Sequence, residues 1–199
     1  MKMYYFYGLM NSSKTAIALM KKFTFEEHGK KVLLVKPKTD TRDGQNIIKS
    51  RIGLQSETLT LGPKDLLMNK VKKIKKYDVI ITDESQFFTV PQIDELRFLA
   101  DESAIVMCFG LKTDFMSHLF DASKRLLEIA DCIREIPTPC RCGKKAILNA
   151  KIVNGQIVYS GDQIDLGGNK KYIGLCHKCY FISHLSGEPV QYINSTFFD

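Results

Sequence analysis

Along the first two thirds of the chain, apolar residues fall in short blocks separated by polar stretches, and the spacing within each block predicts its form. Met3–Tyr7 is an apolar and aromatic run that predicts a strand. After Gly8 and a polar stretch, Ile17, Leu19, Met20 and Phe23 recur at helical spacing. Val32–Val35 predicts a second strand, closed by Pro37, which disfavours helix in the residue before it. From Lys38 to Pro63 the turn signals at Asp43-Gly44, Gly53 and Gly62-Pro63, with little periodicity, predict a long, partly mobile loop. Lys64–Lys76 predicts a helix, Asp78–Thr82 a third strand ending on Asp83, Pro91–Leu99 a helix and Ala104–Phe109 a fourth strand. Strands alternating with helices imply an α/β domain, its parallel sheet covered by helices on both faces.

The pattern changes after Pro137 and Pro139. Short β-like runs follow at Lys151–Val153, Gln156–Tyr159 and Tyr172–Leu175, with frequent glycines and no long helix. The chain therefore reads as an α/β domain over residues 1–137 and a small module over 138–199, held by something other than a large core.

A length of 199 residues allows one substantial core with a small appendage. No apolar run approaches the roughly 20 residues of a membrane span, and the N-terminal MKMYYFYGLM lacks the form of a secretory signal, so a cytoplasmic, membrane-free protein is expected. The net charge of +7 suits an anionic ligand, either nucleotide or nucleic acid. It does not choose between them, because the lysines of Lys70–Lys76 also suit the solvated face of a short helix.

Chemistry enters at Gly8. Residues Gly8, Leu9, Met10, Asn11, Ser12, Ser13, Lys14 and Thr15 match the phosphate-loop pattern G-x-x-x-x-G-K-[ST] at every defined position except Ser13, where glycine is expected. In such a loop, backbone N–H groups at a helix N-terminus wrap a phosphate, the lysine neutralises charge and the hydroxyl ligates Mg²⁺. The strand Val79–Thr82 then ends in Asp83 and Glu84, at the sheet edge where open α/β folds bind ligands. Asp83 suits Mg²⁺, and Glu84 suits a base accepting a proton from an attacking hydroxyl.

Four of six cysteines are paired at short spacing, Cys140-x-Cys142 and Cys176-x-x-Cys179. In a chain without a secretory signal such pairs favour tetrahedral zinc over disulfides, with His177 as a competing ligand. Cys108 reads as a strand residue and Cys132 as a helix residue, both ordinary core positions.

Together, the phosphate loop, the DESQF strand end and the four-cysteine site resemble the zinc-containing thymidine kinases. The likeness extends to Lys36-Pro37 with Asp40 and Arg42, Ser50–Gly53, Gly110–Phe115, Phe120, and Gly167-Gly168 with Tyr172. It implies that Glu84 is the general base, that Thr15 and Asp83 serve Mg²⁺, and that Gly8–Thr15 with Asp83 and Gln86 bind ATP. It also implies a loop between the cysteine pairs that closes over thymidine with Leu166, Gly167, Gly168, Asn169 and Lys170. Met10, Phe87, Leu111, Phe115, Phe120 and Tyr172 would surround the nucleoside. A homotetramer inhibited by dTTP would follow, with no nucleic-acid partner. Two positions depart from the family pattern: Ser13, and Asn149 where threonine often contacts the base. The rival readings are a zinc-ribbon nucleic-acid-binding protein and a nucleotide-binding regulator without catalysis.

Overall fold

The computed structural model describes residues 2–41, 44, 46–161, 163 and 172–186. They divide into two compact units. The larger is drawn from the described residues within 2–8, 12–112 and 119–136, and the smaller from those within 9–11, 113–118 and 137–186.

The larger unit is built on six parallel strands in the order β5-β2-β6-β7-β1-β8. These are β1 (Met3–Gly8), β2 (Val32–Pro37), β5 (Leu59–Leu61), β6 (Val79–Thr82), β7 (Ile105–Gly110) and β8 (Cys132–Ile136). The helices are α1 (Lys14–Glu27), α2 (Leu67–Lys70), α3 (Val90–Glu102) and α4 (Asp121–Ile129), and β3 (Ile47–Lys49) pairs with β4 (Gln55–Glu57) in a separate hairpin.

Successive strand residues point to opposite faces, and both faces are buried. Ile80 joins a core with Tyr5, Val35, Val106, Leu96 and Leu99, while its neighbours Val79 and Ile81 join a second with Leu34, Met107, Phe109, Ala18 and Leu19. This explains why the strands read as unbroken apolar runs. Because the strands are parallel, the carboxyl ends of β1, β6 and β7 share one edge, and Gly8, Asp83 and Gly110 lie at or just beyond it.

Three expectations for the larger unit need correction. The helix expected over Lys64–Lys76 is only the four residues of α2 and one turn, Ile74–Lys76, with Val71 extended between them (φ −115°, ψ 91°). Lysines at 70, 72, 73, 75 and 76 would stand three or four apart on a continuous helix and repel, while only Leu67 and Ile74 among the two short elements are buried. The expected loop from Lys38 to Pro63 contains β3, β4 and β5, each only three residues long and so without readable periodicity. Lys36, fully buried, donates to the carbonyls of Gly44 (2.8 Å) and Ile47 (2.9 Å) and ties this segment to β2. Cys132 lies on the edge strand β8 rather than a helix.

In the smaller unit, β9 (Leu148–Val153), β10 (Gln156–Val158) and β11 (Tyr172–Leu175) form an antiparallel sheet in the order β10-β9-β11. Asn154 and Gly155 turn the β9–β10 hairpin with φ of 51° and 80°, the handedness two-residue hairpins favour. A ten-residue helix, α5 (His177–Ser186), follows, where no long helix was expected.

Candidate active site and metal centre

The phosphate loop leaves β1 through Gly8, where a Cβ would stand 2.3 Å from Ser12 Oγ and 2.9 Å from the Ile136 carbonyl, so no larger residue fits. Lys14, nearly buried, folds back to place Nζ 3.3 Å from the Gly8 carbonyl and 3.3 Å from Ser12 Oγ. Helix α1 begins at Lys14 with no side-chain cap and no acidic residue in its first turn. Its leading N–H groups and positive dipole end therefore suit a phosphate.

Ser13 takes the left-handed conformation (φ 63°, ψ 21°), which favours the glycine that the motif expects here. Asn11 (φ 68°) and Glu84 (φ 49°) are also left-handed.

Asp83 faces this loop within the larger unit. It is 3% exposed, and its Oδ2 accepts a 2.8 Å hydrogen bond from Thr15 Oγ1. Its Oδ1 is buried with no hydrogen-bond partner among the described residues. Burial, reinforced by the charge of Glu84, pushes its carboxyl up to about 7. An orphaned carboxylate oxygen beside a threonine hydroxyl is a pair of hard oxygen donors, and the two fit Mg²⁺.

Beyond Asp83, Glu84 Oε2 accepts from Gln86 Nε2 at 2.6 Å, and Gln86 Oε1 accepts from Leu111 N at 2.9 Å. Phe87 and Phe120 meet edge to face with centroids 5.8 Å apart. The larger unit thus brings Lys14 to the start of its loop, joins Thr15 to Asp83, links Glu84 through Gln86 to Leu111, and pairs Phe87 with Phe120.

In the smaller unit, the Met10 N–H donates to Asn149 Oδ1 at 2.9 Å, and Asn149 Nδ2 donates to the Thr113 carbonyl at 3.3 Å. Both ends of this side-chain amide are engaged inside the protein. Phe115 is buried, with Lys151 Nζ 5.0 Å from its ring centroid and its carbonyl accepting from Tyr180 Oη. Asp114 accepts from the N–H groups of Met116 and His118 and from Gln163 Nε2. Lys151, Gln163 and Tyr180 carry no local motif, and only the fold reveals them. Tyr172 is buried on β11. Leu166, Gly167, Gly168, Asn169 and Lys170 lie outside the described residues.

The sulfurs of Cys140, Cys142, Cys176 and Cys179 all lie within 4.8 Å of one another, and none is in a disulfide. Cys142 Sγ is 3.6 Å from both Cys140 Sγ and Cys176 Sγ. A tetrahedron with Zn–S of about 2.3 Å has edges of about 3.8 Å, so this donor set fits zinc. The first pair sits on a tight turn closed by Gly143 (φ 83°), whose N–H donates to the Cys140 carbonyl. The backbone N–H of Lys144 and the neighbouring thiols draw the Cys142 thiol down to about 6, whereas burial pushes Cys179 up to about 12. His177 stacks on Phe181 and is not among the four clustered ligands.

The family model "Thymidine kinase" matches residues 1–180. The chain is 44% identical to a thymidine kinase of Streptococcus pyogenes serotype M3 over 184 residues, covering 90% of this chain and 97% of that one. It is 36% identical to a thymidine kinase of Rhodopirellula baltica, covering 88% and 85% respectively. The crystal structure of Pif1 helicase from Candida albicans matches 68% of this chain and 35% of its own at 15% identity and a TM-score of 0.41.

Two outcomes follow from this geometry. Ser13 already holds this backbone in the ligand-free fold, where its Cβ costs roughly 1–2 kcal/mol, so Ser13→Gly is expected to stabilise the fold by about that much with Mg-ATP affinity little changed. Thermal unfolding beside isothermal titration checks this, and an unchanged or lower melting temperature would show that the loop is adapted to serine. At the cysteine cluster, elemental analysis is expected to find one zinc per chain. The smaller unit's cluster has five buried core residues, two of them cysteine ligands. Cys176→Ser should therefore strip hydrogen-exchange protection from β9–β11 while β1, β6 and β7 keep theirs. Absence of metal with four freely titratable thiols would contradict the zinc assignment.

Proposed function

The chain belongs to the thymidine kinase family, ATP-dependent kinases whose acceptor is thymidine, and we propose that Glu84 is the general base of the transfer. In this reading Glu84 takes the proton from the 5′-hydroxyl as that oxygen attacks the γ-phosphate of ATP, giving dTMP and ADP. The observation that carries the reading is the junction of the two motifs. Thr15, from the phosphate loop, is hydrogen-bonded to Asp83, whose other oxygen is buried and unpartnered, and Glu84 is the next residue. This puts a base one residue beyond the cation-holding pair.

Phosphoryl transfer asks for positioning and charge stabilisation more than for covalent chemistry. Gly8–Thr15 would cradle the triphosphate with loop N–H groups and Lys14. Thr15 and Asp83 would hold Mg²⁺, which would supply positive charge against the negative charge that develops during transfer. Met10, Phe87, Leu111, Phe115, Phe120 and Tyr172 are assigned to the nucleoside's surroundings, with Leu166–Lys170 offering main-chain groups to thymine. Apolar walls with a few fixed hydrogen bonds suit a flat pyrimidine. The division into a kinase domain of residues 1–137 and a module of residues 138–199 belongs to the same reading, with zinc at the four cysteines as the module's clasp.

The family resemblance supports four further assignments: use of deoxyuridine, feedback inhibition by dTTP, a cytoplasmic location and a homotetramer. Met20 and Phe23 on α1, 56% and 64% exposed, agree with the last.

Glu84→Gln is expected to leave ATP affinity nearly intact and to lower turnover by about two to four powers of ten, the range for loss of a general base. The check is turnover with ATP, Mg²⁺ and each of the four natural deoxynucleosides plus deoxyuridine. Only thymidine and deoxyuridine should be phosphorylated by the parent. A variant within threefold of the parent would remove Glu84 from the mechanism, and a parent that phosphorylates none would favour a regulator.

A further inference from the structure

We propose that Gln86 is a positioning residue, whose side-chain amide holds the Glu84 carboxylate in register with the end of β7, rather than a ligand of ATP. The inference rests on the reading of Glu84 as general base. Gln86 is 3% exposed and lies in the single turn Ser85–Phe87 that follows Glu84. The Leu111 N–H can only donate, so the oxygen of the Gln86 amide faces it, at 2.9 Å. The amide NH₂ then points at Glu84 Oε2, 2.6 Å away. Donor and acceptor are fixed by chemistry at both ends, so the amide's orientation is set by Leu111 and its N–H is directed at Glu84.

The far end of this chain is rigid. The Leu111 carbonyl accepts from Tyr5 Oη at 2.8 Å and from Ser123 Oγ at 2.7 Å, and Tyr5 and Ser123 are fully buried. Gly110 makes the approach possible, since a Cβ there would stand 2.8 Å from Gln86 Oε1 and 3.1 Å from Gln86 N. The near end is strained, because Glu84 is a non-glycine residue at φ 49°. Such a conformation persists only where the surroundings enforce it. Thr82 and Ser85 brace the same turn through their hydroxyls, 2.7 Å apart. A flexible glutamate is thus given one carboxylate orientation by a buried amide anchored to the neighbouring strand.

The test uses Gln86→Glu and Gln86→Met, each alone and combined with Glu84→Gln. Gln86→Glu keeps an acceptor for Leu111 but loses the donor to Glu84, whereas Gln86→Met loses both. Steady-state kinetics are read beside calorimetric Mg-ATP affinity, which also reports that each protein is folded. A misplaced catalytic group costs about 10²-fold, so both single variants are expected to lose about 10–100-fold in kcat with KM for ATP within about threefold. In the Glu84→Gln background they should cost less than about threefold more, because the oriented group is already gone. A raised KM or Kd for ATP with kcat retained would overturn the proposal in favour of an ATP contact, and equal losses in both backgrounds would reduce Gln86 to scaffolding. Glu84→Gln at near-parental turnover defeats the general-base reading itself. Glu84→Gln inactive beside a Gln86→Glu variant of parental kcat defeats the positioning role alone.

Discussion

The structure of the candidate site depends on a carboxylate kept from water. Asp83 ends a strand whose four residues are all buried, so the chain has no freedom to turn it outward. One oxygen is committed to Thr15 and the other has no partner among the described residues. A lone buried charge is expensive, and this one responds by holding its proton up to about 7. A bound cation would reverse that balance, because an unpartnered carboxylate oxygen is a hard ligand for it. The partner hydroxyl comes from the first turn of the phosphate-loop helix, so a cation held by this pair would sit beside whatever occupies that helix's N-terminus.

Backbone strain marks the same two sequence motifs. Of the five non-glycine residues at positive φ among those described, Asn11, Ser13 and Glu84 belong to the phosphate loop or to the acidic strand end. Each conformation is one that an L-residue adopts only under constraint. At Ser13 and Glu84 the larger unit can impose it because its sheet is packed on both faces, with one apolar cluster on each side.

Much of this was legible in the residue pattern, and the exceptions are physical. The phosphate loop, Asp83-Glu84 and the cysteine pairs are dense local signals, and the strands β1, β2, β6 and β7 announce themselves because two-sided burial demands continuous apolar runs. The three-residue strands β3–β5 are too short to show a period, and the lysine-rich segment after Leu67 carried apolar spacing without the charge pattern a helix needs. The link from Glu84 through Gln86 to Leu111 spans 27 residues in sequence and has no local signature. The pairing of Asn149 with Met10 and Thr113 is likewise tertiary, and it gives the departure from threonine at that position a definite occupation inside the smaller unit.

The central claim is that Asp83 is held in reserve for a cation at a cost to the metal-free fold, and Asp83→Asn measures that cost most directly. A carboxyl raised above its unfolded value destabilises the fold as pH climbs from the unfolded pKa towards 7, and the loss is complete above 7. In thermal unfolding with a chelator present, the difference between variant and parent should move in the variant's favour from pH 5 to pH 8. The expected size is on the order of 3 kcal/mol at most, at about 1.4 kcal/mol for each tenfold change in proton affinity. Added Mg²⁺ with nucleotide should stabilise the parent clearly more than the variant, which keeps the loop and Lys14 but not the charged cation ligand. A difference that stays flat across this pH range, or a variant that Mg²⁺ and nucleotide stabilise as well as the parent, would contradict the account.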